Sequence, residues 1–418
     1  MMRKIVFLLV IIVFIAYAEW IPTSPLLQGH SGHVAVKLGN GDVLIIGGDG
    51  SKDCQIYDHE TETWAFTDSL NIGRQDFTAV LLEDGRVMVI GGGVPYNLGH
   101  GTCELYDTTT HTWAMTDTLN TTRGYARAVV LNDGRVLVTG GLDIMTLISA
   151  CEIYDPTTET WTPTSQPSEP QWGHDLCLLD NGRVLSVGGF RDFGMNMAGC
   201  HIFDPVTETW TATNPLNYRR WKLTAVRLIT DDVLVVGGQN ASFVNIPQCE
   251  VYNVSAGTWT VTSNNINPGR IGHTCTKLQN PDPRVWLIGG ESALSDCEFF
   301  HAYAGLWEDT DALIPGREDH SATLLDNGNI LVTGGTPNTT DCQIFDPPPY
   351  GISEQKVIET ENAAFTTTIL NGPLLLPHGK NCKVLDITGR VVMPDKIKPG
   401  IYFIETDGVI THKVVKVK

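Results

Sequence analysis

Residues 140–161 read GGLDIMTLISACEIYDPTTETW, and this stretch is one of seven near-copies. The glycine pair recurs at Gly47-Gly48, Gly91-Gly92, Gly140-Gly141, Gly188-Gly189, Gly237-Gly238, Gly289-Gly290 and Gly334-Gly335. A cysteine follows each time, at Cys54, Cys103, Cys151, Cys200, Cys249, Cys297 and Cys342. An aromatic stands three residues further on: Tyr57, Tyr106, Tyr154, Phe203, Tyr252, Phe300 and Phe345. Six copies then reach a tryptophan, at Trp64, Trp113, Trp161, Trp210, Trp259 and Trp307, with a period of 48 or 49 residues. A repeat of that length built from short strands indicates a propeller or an array.

The seventh copy runs from Phe345-Asp346 into Pro347-Pro348-Pro349 and has no tryptophan strand. A matching strand stands at the other end of the chain, where EWIPTSPLL from Glu19 resembles TWTPTSQPS from Thr160. This offset predicts a ring whose two ends pair in the last blade, leaving no free sheet edge at the seam. The expected fold is therefore all-β: a seven-bladed propeller over residues 19–348, closed by an N-terminal strand. A linker over 349–356 leads to a small β-sandwich over 357–418.

The second copy predicts the blade. Phe77–Leu82 is strand one, Glu83-Asp84-Gly85 a tight hairpin turn, Arg86–Ile90 strand two, Cys103–Tyr106 strand three and Thr112–Thr116 strand four. Copies five and six lack the Asn/Asp-Gly turn, at Ile229–Asp232 and Gln279–Arg284, so their hairpins are expected to be looser. The repeat cysteines fall on equivalent strands of different blades, beyond the roughly 4.4–6.8 Å Cα separation of a disulfide. They read as small apolar residues buried between blades. Cys177, Cys275 and Cys382 lie off the repeat position.

The 418 residues carry a formal net charge of −19. Residues 19–350 hold 17 Lys and Arg against 40 Asp and Glu, or −23. Such a body repels phosphate backbones, which argues against a nucleic-acid partner. Arg3-Lys4, the apolar run Ile5–Ile15 and Ala16-Tyr17-Ala18 read as a cleaved signal peptide over residues 1–18. No later stretch is long and apolar enough to span a bilayer.

The double glycine, the Tyr-Asp and Trp spaced six to seven apart, and an Arg-x-x-His before strand one resemble the kelch repeat. The last feature is complete at Arg270/His273 and Arg317/His320, and partial at Arg74/Phe77, Arg123/Ala126, Gln171/His174, Arg220/Leu223 and His30/His33. The resemblance covers residues 19 to about 348 and implies the fold, while function has to be argued from a site. The tail KVLDITGRVVMPDKIKPGIYFIETDGVITHKVVKVK resembles the C-terminal sorting domain of the type IX secretion system. The matching marks are Asp386–Arg390, Pro399–Phe403 and the basic end Lys413–Lys418. This resemblance implies export to the medium or the outer surface of a Gram-negative bacterium, with the secretion machinery as a partner. Ile369–Pro373 stands where that family usually shows Asn-Pro, a departure from its pattern.

Strand alternation places the long, varied loops between strands two and three on one face, together with the connections between blades. Function tends to sit on variable loops held by a rigid scaffold, and aromatic and Arg side chains anchor interfaces. The candidate binding residues are therefore Arg74, Arg123, Arg220, Arg270 and Arg317, which share one repeat position, with Tyr96, Tyr125, Trp172, Tyr218 and Trp221. An arginine ring at the channel mouth would suit an anionic sugar or an acidic peptide; arginines paired into the framework are the alternative. The expected function is a binding module for protein or glycan on this face. No catalytic motif, metal set or cofactor signature stands out. The competing reading is a carbohydrate-active kelch enzyme, oxidase-like or mutarotase-like, with its site at the channel mouth. Resemblance to the copper-radical oxidases would imply two Tyr, two His and a Tyr–Cys cross-link at that mouth, and the loop cysteines this needs are missing.

Overall fold

The computed structural model describes residues 19–93, 99–144, 146–192, 195–196, 199–279, 281–337, 340–348, 366–370, 382–386, 390–393, 400–406 and 409–416. The leader and the linker lie outside them. The chain divides after Asp346 into two units. The first, Glu19–Asp346, is seven four-stranded antiparallel sheets. In the second blade the order is Thr78–Leu81, Val87–Ile90, Cys103–Asp107 and Thr112–Met115, from the axis outward.

The second strand of each blade is fully buried, and in blades one, two and five it is a continuous apolar run, VLII, VMVI and VLVV. Both of its faces are covered because a neighbouring blade packs on each side. One apolar cluster joins Leu44 and Ile46 of the first blade to Val87, Tyr106 and Trp113 of the second, and equivalent clusters follow around the ring. The repeat aromatics pair across strands three and four, Tyr106 opposite Trp113 with ring centroids 5.0 Å apart. At the seam Trp20 lies opposite Phe345, centroids 4.8 Å apart, within the pairing of Glu19–Pro22 with Cys342–Asp346. Trp20 is thus the seventh tryptophan. The inner strands touch in sequence all the way round, Ser321–Leu324 of the last blade against Val34–Lys37 of the first.

Cys54, Cys103, Cys151, Cys177, Cys200, Cys249, Cys275, Cys297 and Cys342 are all free thiols. The thiols of Cys54, Cys103 and Cys151 each donate to the carbonyl two residues earlier at 3.6 Å, and burial pushes all three up to about 12. They are packing residues, without thiolate chemistry at neutral pH.

Of the two hairpins expected to be looser, the sixth is and the fifth is not. In blade five Asp231 adopts the left-handed conformation (φ 69°) that Gly134 and Gly328 take elsewhere. Leu228 N–H then reaches Asp232 O at 2.8 Å, as Leu131 reaches Arg135. The hairpin is as tight as the others, because Asp tolerates this conformation better than most side chains. Blade six is longer, with Leu278 N–H reaching Arg284 O at 3.3 Å.

The second unit shows one five-stranded sheet among its described residues, in the order Thr366–Leu370, Val409–Lys416, Gly400–Thr406, Cys382–Asp386, Val391–Val392. The first pair is parallel and the others antiparallel. These strands form one layer, and the second layer of the expected sandwich is not among the described residues.

Candidate binding site at the channel mouth

Each blade is entered through a connection that carries the Arg-x-x-His position. Arg74, Arg123, Arg220, Arg270 and Arg317 are all at most 1 % exposed. Four of them pair with the glutamate after the repeat cysteine: Arg74–Glu104, Arg123–Glu152, Arg220–Glu250 and Arg270–Glu298, at 2.5–3.1 Å. Each also donates to the carbonyl of the first repeat glycine, for example Arg123 Nη1 to Gly140 O at 2.9 Å. The glutamate in turn accepts backbone N–H groups of the connection, as Glu152 does from Asn120 and Thr121. Arg317 has Gln343 where the others have glutamate, and its guanidinium donates to Gly334 O and Asp341 O. The arginines therefore do not line an open mouth. They clamp each connection to its own blade, and the expectation of a positive ring is corrected: a guanidinium fully withdrawn from water needs a carboxylate or carbonyls around it.

Two blades carry a neutral residue at the arginine position. In the first, His30 takes the arginine position and Gln55 the glutamate position, with Gln55 Nε2 and His30 Nε2 2.9 Å apart and His30 Nδ1 2.7 Å from Gly47 O. In the fourth, Gln171 accepts from Ser186 Oγ at 2.7 Å. The repeat histidines are framework too. His33, His174, His273 and His320 are buried, and burial lowers each to about 3, so they are neutral. His174 meets Thr139 Oγ1 at 2.7 Å, His33 meets Thr333 Oγ1 at 3.1 Å and His320 meets Thr274 Oγ1 at 2.9 Å. His273 has no side-chain partner among the described residues, because Val236 stands where Thr139 and Thr333 stand.

The mouth is formed two residues after the arginine position. There Gly32, Asp76, Tyr125, Gly173, Lys222, Gly272 and Asp319 all have left-handed φ between 51° and 63°. Their backbones bond from blade to blade: Tyr125 N–H to Asp76 O and Lys222 N–H to Gly173 O at 2.7 Å, Asp319 N–H to Gly272 O and Gly32 N–H to Asp319 O at 3.0 Å. Glycine fills this position in three blades. The side chains projecting from the other four are two carboxylates, a phenol and an ammonium. Tyr and Lys rarely adopt this conformation, and strained positions of this kind cluster at functional sites. Burial raises the Asp76 carboxyl, opposed by the Tyr125 hydroxyl and the Lys222 charge. Burial also raises Asp319, with Lys222 opposing and Asp49 and Glu291 reinforcing. The Tyr125 phenol is raised by burial and by the Asp76 charge.

Beside this ring runs a wall of aromatic side chains across blades three to five. Tyr125 meets Trp172 edge-on at 5.5 Å, Trp172 meets Trp221 at 5.0 Å and Phe190 at 5.7 Å, and Trp221 meets Phe243 at 5.9 Å. Trp172 and Phe190 are joined by an isolated bridge that anchors the loop to its connection. Phe243, 65 % exposed, and Val244, 57 % exposed, form the outer tip, in a turn held by the Asn240 side chain. The Lys222 ammonium sits 5.0 Å from the centroid of the Trp221 ring.

Of the residues singled out from the sequence, Tyr125, Trp172 and Trp221 come together here. Tyr218 is 40 % exposed and stands further out, with its backbone bonded to Glu250 and Arg220. Tyr96 lies outside the described residues. Asp76, Lys222, Asp319 and Phe190 were missed. Three of these carry a readable signal: they are the non-glycine residues at a repeat position that is glycine at Gly32, Gly173 and Gly272.

The KLHDC2/KLHL20/DRC7 Kelch-repeats domain matches residues 32–223. None of the curated proteins matches the chain. Among solved structures, a "novel fungal alcohol oxidase with catalytic diversity among the AA5 family, in complex with copper" has a TM-score of 0.65 at 16 % identity, covering 96 % of this chain and 98 % of that one. That likeness is one of fold. The donors at the mouth ring do not fit copper: its four side chains include no imidazole, and three of the four repeat histidines are bonded to threonines. The carboxylate–histidine group Asp42, Asp58 and His59 lies at the short turns, away from the mouth. The chain carries kelch repeats, folded as a seven-bladed propeller.

Proposed function

We propose that this protein is an exported kelch propeller whose loop face binds a protein or glycan ligand, with the C-terminal unit serving secretion or surface attachment. The observation that carries the reading is the aromatic wall Trp172–Trp221–Phe243 set directly beside a polar ring at the channel mouth. Flat aromatic faces stack on sugar rings or on apolar side chains, and neighbouring carboxylates orient a ligand through its donors. The rigid blades hold both parts in place before the ligand arrives, which limits the entropy lost on binding. Export rests on the leader-like residues 1–18 and on the sorting-domain marks of the tail.

The full chain on a glycan, peptide and envelope-protein array tests the binding reading. Specific signals lost in Trp172→Ala and Phe243→Ala, with unchanged melting, support it; an empty array, or signals indifferent to both changes, sinks it. Fractionation of cells expressing the chain with and without residues 357–418 tests the export reading, which requires the shorter chain to be retained.

A second reading, a carbohydrate-active enzyme, is favoured by the convergence of Asp76, Tyr125, Lys222 and Asp319, since paired titratable groups can move protons. Incubation with a saccharide panel followed by NMR decides it: turnover abolished by Asp76→Asn establishes an enzyme, and no turnover leaves a binding protein.

A further inference from the structure

We infer that the ligand of this face is cationic, a lysine or arginine side chain on an extended segment of a partner protein. The inference rests on the loop-face binding proposed above and fixes the sign of what is bound. The arginines that would have made the mouth positive are all buried; four are matched by Glu104, Glu152, Glu250 and Glu298, and Arg317 is held by the carbonyls of Gly334 and Asp341. The carboxylates that act on the mouth come from four of the seven blades. Asp49 belongs to the first, Asp76 to the second, Glu291 to the sixth and Asp319 to the seventh; Lys222 of the fifth opposes them. Arg127 of the third is engaged with Asp175 of the fourth at 3.4 Å. Neither Asp76 nor Asp319 has an ion-pair partner among the described residues, and burial raises both carboxyls. An incoming cation would supply the missing partner.

The aromatic wall gives an independent pointer to the same chemistry. Its Trp221 face already attracts an ammonium, that of Lys222 at 5.0 Å, as expected for a cation over an indole ring. Trp221 is itself only 5 % exposed, and Lys222 shows that the wall accepts a cation at its edge. The apolar tip Phe243–Val244 extends contact beyond the reach of a single charged group. That favours a peptide segment, with an aliphatic stem and a neighbouring apolar side chain, over an amino sugar.

Binding of fluorescein-labelled decalysine, decaglutamate and a neutral Gly-Ser decapeptide to the full chain, by fluorescence polarisation at physiological salt, tests this. A chitosan hexamer, a sugar bearing amines, serves as competitor. Asparagine keeps the left-handed backbone at both aspartates and at Lys222, so the variants should fold, with circular dichroism as the check. Decalysine is expected to bind, Asp76→Asn/Asp319→Asn to weaken it about tenfold, and Lys222→Asn to tighten it several-fold, each factor of ten corresponding to about 1.4 kcal/mol. Glu60→Gln/Glu62→Gln removes the same charge from the exposed turn opposite and should change affinity less than about twofold. Preference for decaglutamate, no decalysine binding, equal weakening by the two double variants, or displacement by chitosan at lower concentration than by unlabelled decalysine would each overturn the inference. Should Trp172→Ala leave every probe unaffected, the loop-face reading falls with it; should Trp172→Ala abolish binding of decaglutamate instead, only the sign is wrong.

Discussion

At the residue scale the molecule separates side chains that hold blades from side chains free to meet a ligand. The clamp Arg123–Glu152 is 0–1 % exposed. Removing one partner strands a buried charge, so Glu152→Ala should lower stability by about 3–5 kcal/mol in chemical denaturation. The first blade shows a neutral solution in His30 and Gln55, so the double change Arg123→His/Glu152→Gln should cost less than Glu152→Ala alone. The repeat histidines make an acid-sensitive framework. Each is held near 3 by burial, against an ordinary 6.5. The unfolded chain takes up those protons below pH 6.5 and the folded chain does not until about 3. Their stability contribution is therefore full above 6.5 and is lost as pH falls, by up to about 1.4 kcal/mol per histidine per pH unit. His273 has no side-chain partner among the described residues to lose, and Leu223 fills the equivalent place one blade earlier. His273→Leu should leave melting at pH 7 unchanged or raised and make the fall between pH 6 and 4 shallower; an equal slope would refute the assignment.

At the scale of the element, the double glycine and the Arg-x-x-His position are two halves of one joint. A Cβ on Gly140 would lie 2.2 Å from Gln171 O and 2.6 Å from His174 Cε1, both on the next blade's connection. Gly85, in a hairpin turn, has φ 88° but nothing closer than 3.9 Å. Gly85→Ala should therefore cost only the left-handed backbone, about 1–2 kcal/mol. Gly140→Ala should cost several times as much, since backbone must move; thermal melts of the pair would show it. The same joint delivers the left-handed residue that ends in the mouth, which is how a structural repeat presents unlike side chains at one spot.

For the whole molecule, closure is the decisive feature. The seam strand Glu19–Pro22 contributes Trp20, which stacks on Phe345 and donates to Asp311 O at 3.0 Å. Because Trp20 is only partly buried, Trp20→Ala should lose roughly 1–3 kcal/mol, less than a core tryptophan. The loss should appear first as protease cuts in the seventh blade, and cuts spread evenly over all blades would argue against a weak seam. Ring symmetry also explains the charge pattern. A repeated buried Arg–Glu pair adds nothing to the field outside, so the acidic surface and the unrepeated mouth residues set what the molecule attracts.

The order of the blades, their number and the closing strand were all legible in the chain, because glycine, cysteine and aromatic residues recur at positions where backbone approach and inter-blade packing permit little else. Trp20 was identifiable as the missing seventh tryptophan for the same reason. The loop face, with Tyr125, Trp172 and Trp221 on it, followed from strand alternation. What only the tertiary structure decided was the state of the repeated arginines. A repeat position says that a side chain recurs, and it takes the packing of each connection against its own blade, in four cases onto a glutamate some 30 residues away, to show that those charges are buried. The mouth itself was hidden for a related reason: Asp76, Lys222 and Asp319 lie far apart in sequence, and only closure of the ring brings their left-handed backbones to one axis.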